Sequence, residues 1–251
     1  MSHFPYQLAG PIGSRATLGL IVLQVDETIE QDFRRLFPGG EVALYVSRIP
    51  SGAELTPATI AEMEAELPRA AGLLPPAAAF DAVGYACTSG TTLIGPDRVR
   101  ALVSGAAKTR AVADPLTAAI AGFRALGAGR LGIVSPYIAP VAQPIRKAFE
   151  AAGLPVAETL SFGEEVEARV ARIDPASIRQ AALELAARPG VEALFLSCTN
   201  LRTLDIIAAL EAETGLPVVS SNQALAWRMA GLAGMALPEG APGRLCRLAG
   251  G

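Results

Sequence analysis

Cys87, in DAVGYACTSGTT, and Cys198, in EALFLSCTNLRT, each close an apolar run and open onto small hydroxyl residues. Their distance from an earlier glycine nearly repeats. Gly19 of LGLIV lies 68 residues before Cys87 (87 − 19), and Gly132 of LGIVS lies 66 before Cys198 (198 − 132). This near-match points to one structural unit used twice. Two thiols facing each other from such copies could give a proton to one face of a carbon and take it from the other. That chemistry needs no cofactor and no metal. His3 is the single histidine, which leaves little from which to build a histidine triad or a zinc centre.

Thr88, Ser89, Gly90, Thr91 and Thr92 follow Cys87. Small side chains there let consecutive backbone N–H groups surround an anion, and a following helix start favours the thiolate, the reactive form. Thr199 and Asn200 keep this hydrogen-bonding character after Cys198, with less glycine. A carboxylate suits both sites. Taken singly, either cysteine also reads as a small core hydrophobe; the shared context favours chemistry for the pair. Cys246 lacks that context and reads as incidental. Ser135 and Thr88 contact the ligand or satisfy backbone groups nearby. Ser220, Ser221 and Asn222 orient the Cys198 side of a pocket or, for Ser221 or Asn222, cap the next helix. Arg202 holds a second carboxylate or stays solvated.

Strand-like and helix-like stretches alternate along the chain, which predicts parallel sheets covered by helices. Strands are expected at 18–24, 41–49, 80–87, 110–113, 130–136, 154–162, 191–198 and 217–221. Helices are expected after Asp26, where Ile29, Phe33 and Phe37 share a face, and at 57–74, from Pro96, at 115–126, 139–152, 175–187, 204–213 and 223–232. The first α/β domain then covers about 17–112 together with about 220–235 and carries Cys87. The second covers 113–219 and carries Cys198, and 236–251 reads as a loosely held Pro/Gly-rich tail. Both cysteines fall at the carboxyl ends of strands, where ligands gather in parallel sheets.

Composition narrows the class of function. The chain has 251 residues, of which 51% are hydrophobic, enough for a substantial core. A net charge of −3 and 5% aromatic residues provide neither a basic field nor stacking platforms for nucleic acid. Residues 1–16 hold no apolar stretch behind a basic start, so neither a signal peptide nor a membrane partner is expected. Three cysteines in such a chain read as free thiols of a cytoplasmic protein.

The segments GLIVLQVDETIEQDF, GYACTSGTTLIG, SPYIAPV, LFLSCTNLRTLDII and LPVVSSNQALAW resemble the aspartate/glutamate racemase superfamily, in the group of maleate cis–trans isomerases and arylmalonate decarboxylases. The resemblance implies two similar Rossmann-like (flavodoxin-like) domains about a pseudo-twofold axis, a cleft between them, no cofactor and a homodimer. It also implies that Cys87 is the nucleophile, that Cys198 handles the proton, and that Tyr137 hydrogen-bonds a substrate carboxylate. The decarboxylases keep only the second cysteine. Where maleate isomerases carry a carboxylate-binding asparagine in a segment like SSNTT, this chain has Asp26 in QVDET. An ionised aspartate repels a carboxylate. The VDETIEQDF version is similar to the ectoine-utilisation branch of the superfamily, and Asp26 reads either as the partner of a substrate ammonium or amide, or as a helix cap.

The leading expectation is a cofactor-independent isomerase or racemase of a small carboxylate or amino-acid derivative. Cys87 and Cys198 would be catalytic, with Asp26, Thr88, Ser89, Ser135, Tyr137, Thr199 and Asn200 binding substrate. The alternatives are decarboxylation of a substituted malonate, with Cys198 returning the proton, and binding of an ectoine-derived metabolite without turnover.

Overall fold

Apolar runs that are buried on both faces become the central strands of two parallel sheets. The computed structural model describes residues 3–54 and 56–250. The first half runs β1 (Ala16–Leu23), α1 (Ile29–Leu36), β2 (Val42–Ile49), α2 (Pro57–Gly72), β3 (Ala82–Ala86), α3 (Thr88–Ile94), α4 (Pro96–Ala106), β4 (Val112–Ala113) and α5 (Pro115–Ala125). The second half runs β5 (Leu131–Ser135), α6 (Ala139–Ala151), β6 (Val156–Ser161), α7 (Glu167–Val170), α8 (Pro175–Ala186) and β7 (Ala193–Leu196). A 3₁₀ turn at Leu204–Ile206, α9 (Ile207–Thr214), β8 (Val218–Ser220) and α10 (Ser221–Leu232) complete it.

The sheets have the orders β2-β1-β3-β4 and β6-β5-β7-β8, every pairing being parallel. This is the α/β architecture expected from the sequence, in two equivalent copies. Equivalence extends to single residues. Gly19 on β1 pairs with Val83 on β3, and Gly132 on β5 pairs with Leu194 on β7. Each cysteine lies four residues beyond that partner (87 − 83 and 198 − 194). Duplication therefore sets both thiols at the same level of their sheets.

Two helices cross between the halves. Phe123 of α5 lies edge-on to Phe149 of α6 and Phe195 of β7, with ring centroids 6.1 Å apart in both cases. The helix that leaves the first sheet thus covers the second. In return, α10 leaves β8 and packs on β3, β4 and α1 of the first half, while also touching α5. Its start is fixed by a capping box in which the Ser220 side chain accepts from Gln223 N–H.

Local details depart from the sequence expectation. Residues 88–94, which lie outside the helix ranges expected from sequence, form a helix directly behind Cys87, and the short helix at 167–170 is a further addition. The cap of the last helix is Ser220, so Ser221 and Asn222 are its first residues. The expected loose tail is instead packed. Leu245 and Cys246 are buried, Trp227 Nε1 donates to Leu248 O at 3.0 Å, Gln223 Nε2 donates to Pro242 O at 2.7 Å, and Arg244 N–H donates to Glu211 Oε2 at 2.9 Å. Apolar side chains at intervals in a Pro/Gly-rich stretch were enough to seat it on α5 and α10.

Leu245→Ala should therefore cost about 2–5 kcal/mol in urea unfolding, as expected for truncating a buried leucine. A change below about 0.5 kcal/mol would show that the segment is held loosely after all.

Candidate active site

Cys87 leaves β3 in an extended conformation and acts as the N-cap of α3, its sulfur accepting Gly90 N–H at 3.1 Å. Ser89 Oγ lies 3.6 Å from the same sulfur. Only glycine fits at position 90. A Cβ there would stand 2.5 Å from Tyr85 Oη and 2.9 Å from Cys87 Sγ. Tyr85 lies two residues before Cys87 on the same face of β3, a juxtaposition that strand periodicity contains but that the sequence reading missed.

Cys198 is held differently. Its φ of 140° is the one positive value for a non-glycine residue among the described residues, a conformation that typically costs about 1–3 kcal/mol and persists where surrounding contacts enforce it. Those contacts are visible: Cys198 N–H donates to Ser221 Oγ at 3.1 Å, and Asn200 N–H reaches the Cys198 sulfur at 3.4 Å. Ser221 Oγ also lies 2.8 Å from Thr88 Oγ1. One hydroxyl thus joins the backbone of Cys198 to the residue after Cys87. Thr199 Oγ1 adds a second tie, donating to Ala86 O at 3.3 Å.

The expected binding residues divide into two groups. Thr88, Thr199 and Ser135 are engaged in building the site, since Ser135 Oγ accepts Tyr137 N–H at 3.1 Å. Tyr137 is buried beside the thiols, and both sulfurs act electrostatically on its hydroxyl. Asn200 links several segments. Its Oδ1 accepts Glu27 N–H at 2.9 Å, its carbonyl accepts the Thr28 hydroxyl at 3.0 Å, and its Nδ2 donates to Glu167 Oε2 at 2.9 Å. Asn222 Nδ2 supports the loop from beneath, donating to Thr199 O at 2.9 Å and to the buried Asp32 at 2.8 Å. Arg202 is exposed in the wall of an outer cavity of about 320 Å³ with Glu27, Thr28 and Arg35, away from the thiols. It therefore falls outside the centre where a second carboxylate contact was considered.

Glu167 was not foreseen. It sits in GEEVEARV, a stretch that reads as a solvated acidic loop, yet it is buried, with its N–H on Ala53 O at 3.1 Å. Asp26 is buried as well. Its Oδ1 accepts Thr28 and Ile29 N–H at 2.8 and 2.9 Å, the helix-start role, whereas its Oδ2 has no hydrogen-bond partner.

Burial dominates the electrostatics. It pushes the Cys87 thiol up to about 11, against the pull of Ser89 and the Gly90 N–H, and raises Cys198 well above the ordinary range, with Glu167 adding to the rise. The expectation of a standing thiolate is thus corrected, because desolvation outweighs the donors at the start of α3. Burial likewise raises Asp26, and it raises Glu167 to about 7, partly offset by Asn200 and reinforced by Asp26. No group of three or more His, Cys, Asp or Glu side chains suited to a metal occurs among the described residues. No helix among them is long and apolar enough to cross a membrane.

The arylmalonate decarboxylase family model matches residues 81–246, a span that includes both cysteines and the 3₁₀ turn, α9 and α10 that follow the second. The chain belongs to this family. A maleate isomerase of Nocardia farcinica is 27% identical over 90% of this chain and 92% of its own length. One from Pseudomonas putida is 30% identical over 68% of this chain and 70% of its own. Among solved structures, a cysteine-to-serine mutant of the Nocardia farcinica maleate cis–trans isomerase, with a covalently bound succinylcysteine intermediate, superposes with a TM-score of 0.83. It is 26% identical and covers 92% of this chain and 98% of its own.

Glu167 also has a measurable pH signature. Its pKa is raised on folding, so the native state binds more protons than the unfolded chain between about 4.5 and about 7, and stability from this group is lost as pH rises through that window. Relative to wild type, Glu167→Gln should therefore become progressively more stable from pH 4.5 to about 7 and level off above it. A pH-independent difference in urea midpoints would show that the carboxyl is unperturbed.

Proposed function

We propose that this protein is a cofactor-independent isomerase or racemase in which Cys87 and Cys198 act on opposite sides of a small carboxylate or amino-acid-like substrate. The observation that carries this reading is the Thr88–Ser221–Cys198 bridge, which brings the carboxyl ends of β3 and β7 to one buried centre. Family membership and the covalent succinylcysteine of the Nocardia farcinica enzyme support it.

For an α-proton substrate, the thiolate on one side takes the proton and becomes a thiol. The thiol on the other side then gives its proton to the opposite face, and the enzyme returns with the two roles exchanged. For an alkene, Cys87 thiolate adds to one carbon, the former double bond rotates, and expulsion of the thiolate leaves the isomer, with Cys198 lending and recovering a proton. In both routes negative charge moves onto the substrate carboxylate. The Tyr137 hydroxyl, on which both thiols act, would donate to that charge. The proposal extends to a homodimer, as the superfamily resemblance implies, and to the cytoplasm, as the composition and free thiols suggest; the VDETIEQDF resemblance adds the alternative of binding an ectoine-derived metabolite without turnover.

The family model favours a second reading, decarboxylation of a substituted malonate with Cys198 alone returning the proton. Substitution separates the two. Cys87→Ser and Cys198→Ser should each lower substrate-dependent solvent deuterium exchange or alkene isomerisation by on the order of 10³-fold or more, the loss typical of residues that act as a unit. Carbon dioxide release that survives Cys87→Ser would establish the decarboxylase instead.

A further inference from the structure

Among the described residues, buried carboxyl side chains have no buried basic side chain to match them. Among the described residues no lysine, arginine or histidine is buried, whereas Asp26, Asp32, Asp114, Glu167 and Glu211 are. Two of these acids, Asp26 and Glu167, stand at the thiol centre, on either side of the Asn200 amide. Asn200 Oδ1 is bound by Glu27 N–H beside Asp26, and Asn200 Nδ2 is bound to Glu167 Oε2. The charge of Asp26 acts on both Glu167 and Cys198, and Glu167 acts on both thiols.

The nearest guanidinium groups are committed elsewhere. Arg48 Nη1 donates to the carbonyls of Leu23, Gln24 and Asp26, while its Nη2 pairs with Glu30. Arg172 pairs with Glu27. Neither guanidinium bonds the Asp26 carboxylate, although the charge of Arg48 acts on it. Its buried Oδ2 has no hydrogen-bond partner, and the Thr199 hydroxyl, which also acts on this carboxylate, donates its proton to Ala86 O at 3.3 Å. An unpaired buried carboxylate oxygen costs free energy unless something from outside supplies a donor.

We infer that Asp26 and Glu167 form an ammonium subsite of the two-thiol centre, so that the substrate is a small amino acid carrying its own cation rather than a simple dicarboxylate. This deepens the function proposed above and rests on it. A dicarboxylate would add two negative charges to a site with no buried cation. An ammonium supplies donors to Asp26 Oδ2 and Glu167 and offsets the carboxylate charge that, after burial itself, opposes ionisation of the thiols.

The test is calorimetric titration of the full chain at pH 8 with 2,4-diaminobutyrate, which has one carboxylate and two ammonium groups, and with succinate, a four-carbon dicarboxylate without one. Wild type should bind diaminobutyrate more tightly by on the order of tenfold or more, the scale of one charge-assisted hydrogen bond. Asp26→Asn and Glu167→Gln, with folding checked by thermal unfolding, should each lower that ratio by a similar factor. Equal or tighter succinate binding, absence of diaminobutyrate binding, or a ratio unchanged in both folded variants would overturn the inference. Binding discrimination does not require turnover. A protein that discriminates but has no thiol-dependent activity would sink the proposed reaction and keep the subsite; thiol-dependent activity without discrimination would do the reverse.

Discussion

A single serine hydroxyl carries the connection on which the site depends. Ser221 Oγ takes the N–H of Cys198 and meets the hydroxyl of Thr88, so the loops after the two cysteines are joined at the first residue of α10, and the bonds from Thr199 to Ala86 O and from Thr28 to Asn200 O reinforce that junction. The Ser221 hydroxyl is in place because α10 returns to the first sheet while α5 crosses to the second. The crossing is fastened by the Phe123, Phe149 and Phe195 cluster on one side and by Trp227 and the packed C-terminal segment on the other. Strain at Cys198 follows from the same geometry. A backbone held at φ 140° persists only where its N–H and its neighbours are fixed from several directions.

Closing the centre this tightly has an electrostatic consequence. Both thiols, Tyr137, Asp26 and Glu167 lie in a region with little solvent to stabilise charge, and each is pushed toward its neutral form. Burial thus outweighs the pull of the helix start on the Cys87 thiol. Burial also pushes the Cys246 thiol up to about 11, outside any such centre.

Much of this was legible in the chain. The strands were readable because runs such as LGLIVL must be buried on both faces, and the glycine-to-cysteine spacing exposed the duplication before any coordinates. The register confirms that spacing residue by residue, with each cysteine four positions past the partner of Gly19 or Gly132. Thr88–Ile94 was harder. A short run of Thr, Ser and Gly has weak helix propensity, and what makes it helical is its place between the Cys87 cap and the packing of α2, α5 and α6 around it.

The sequence by itself determined the α/β class, the twofold repeat, and the positions of Cys87 and Cys198 at strand ends, because hydrophobic periodicity and spacing are local properties. Only the tertiary structure decided which polar residues are buried and what they face. Glu167 sits in an acidic stretch indistinguishable from a solvated loop until Ala53 and Asn200 enclose it, and Arg202 follows the second cysteine closely yet points to an outer cavity. Desolvation depends on every neighbour at once, so the protonation of the thiols and the unpaired oxygen of Asp26 became readable only when both halves were assembled.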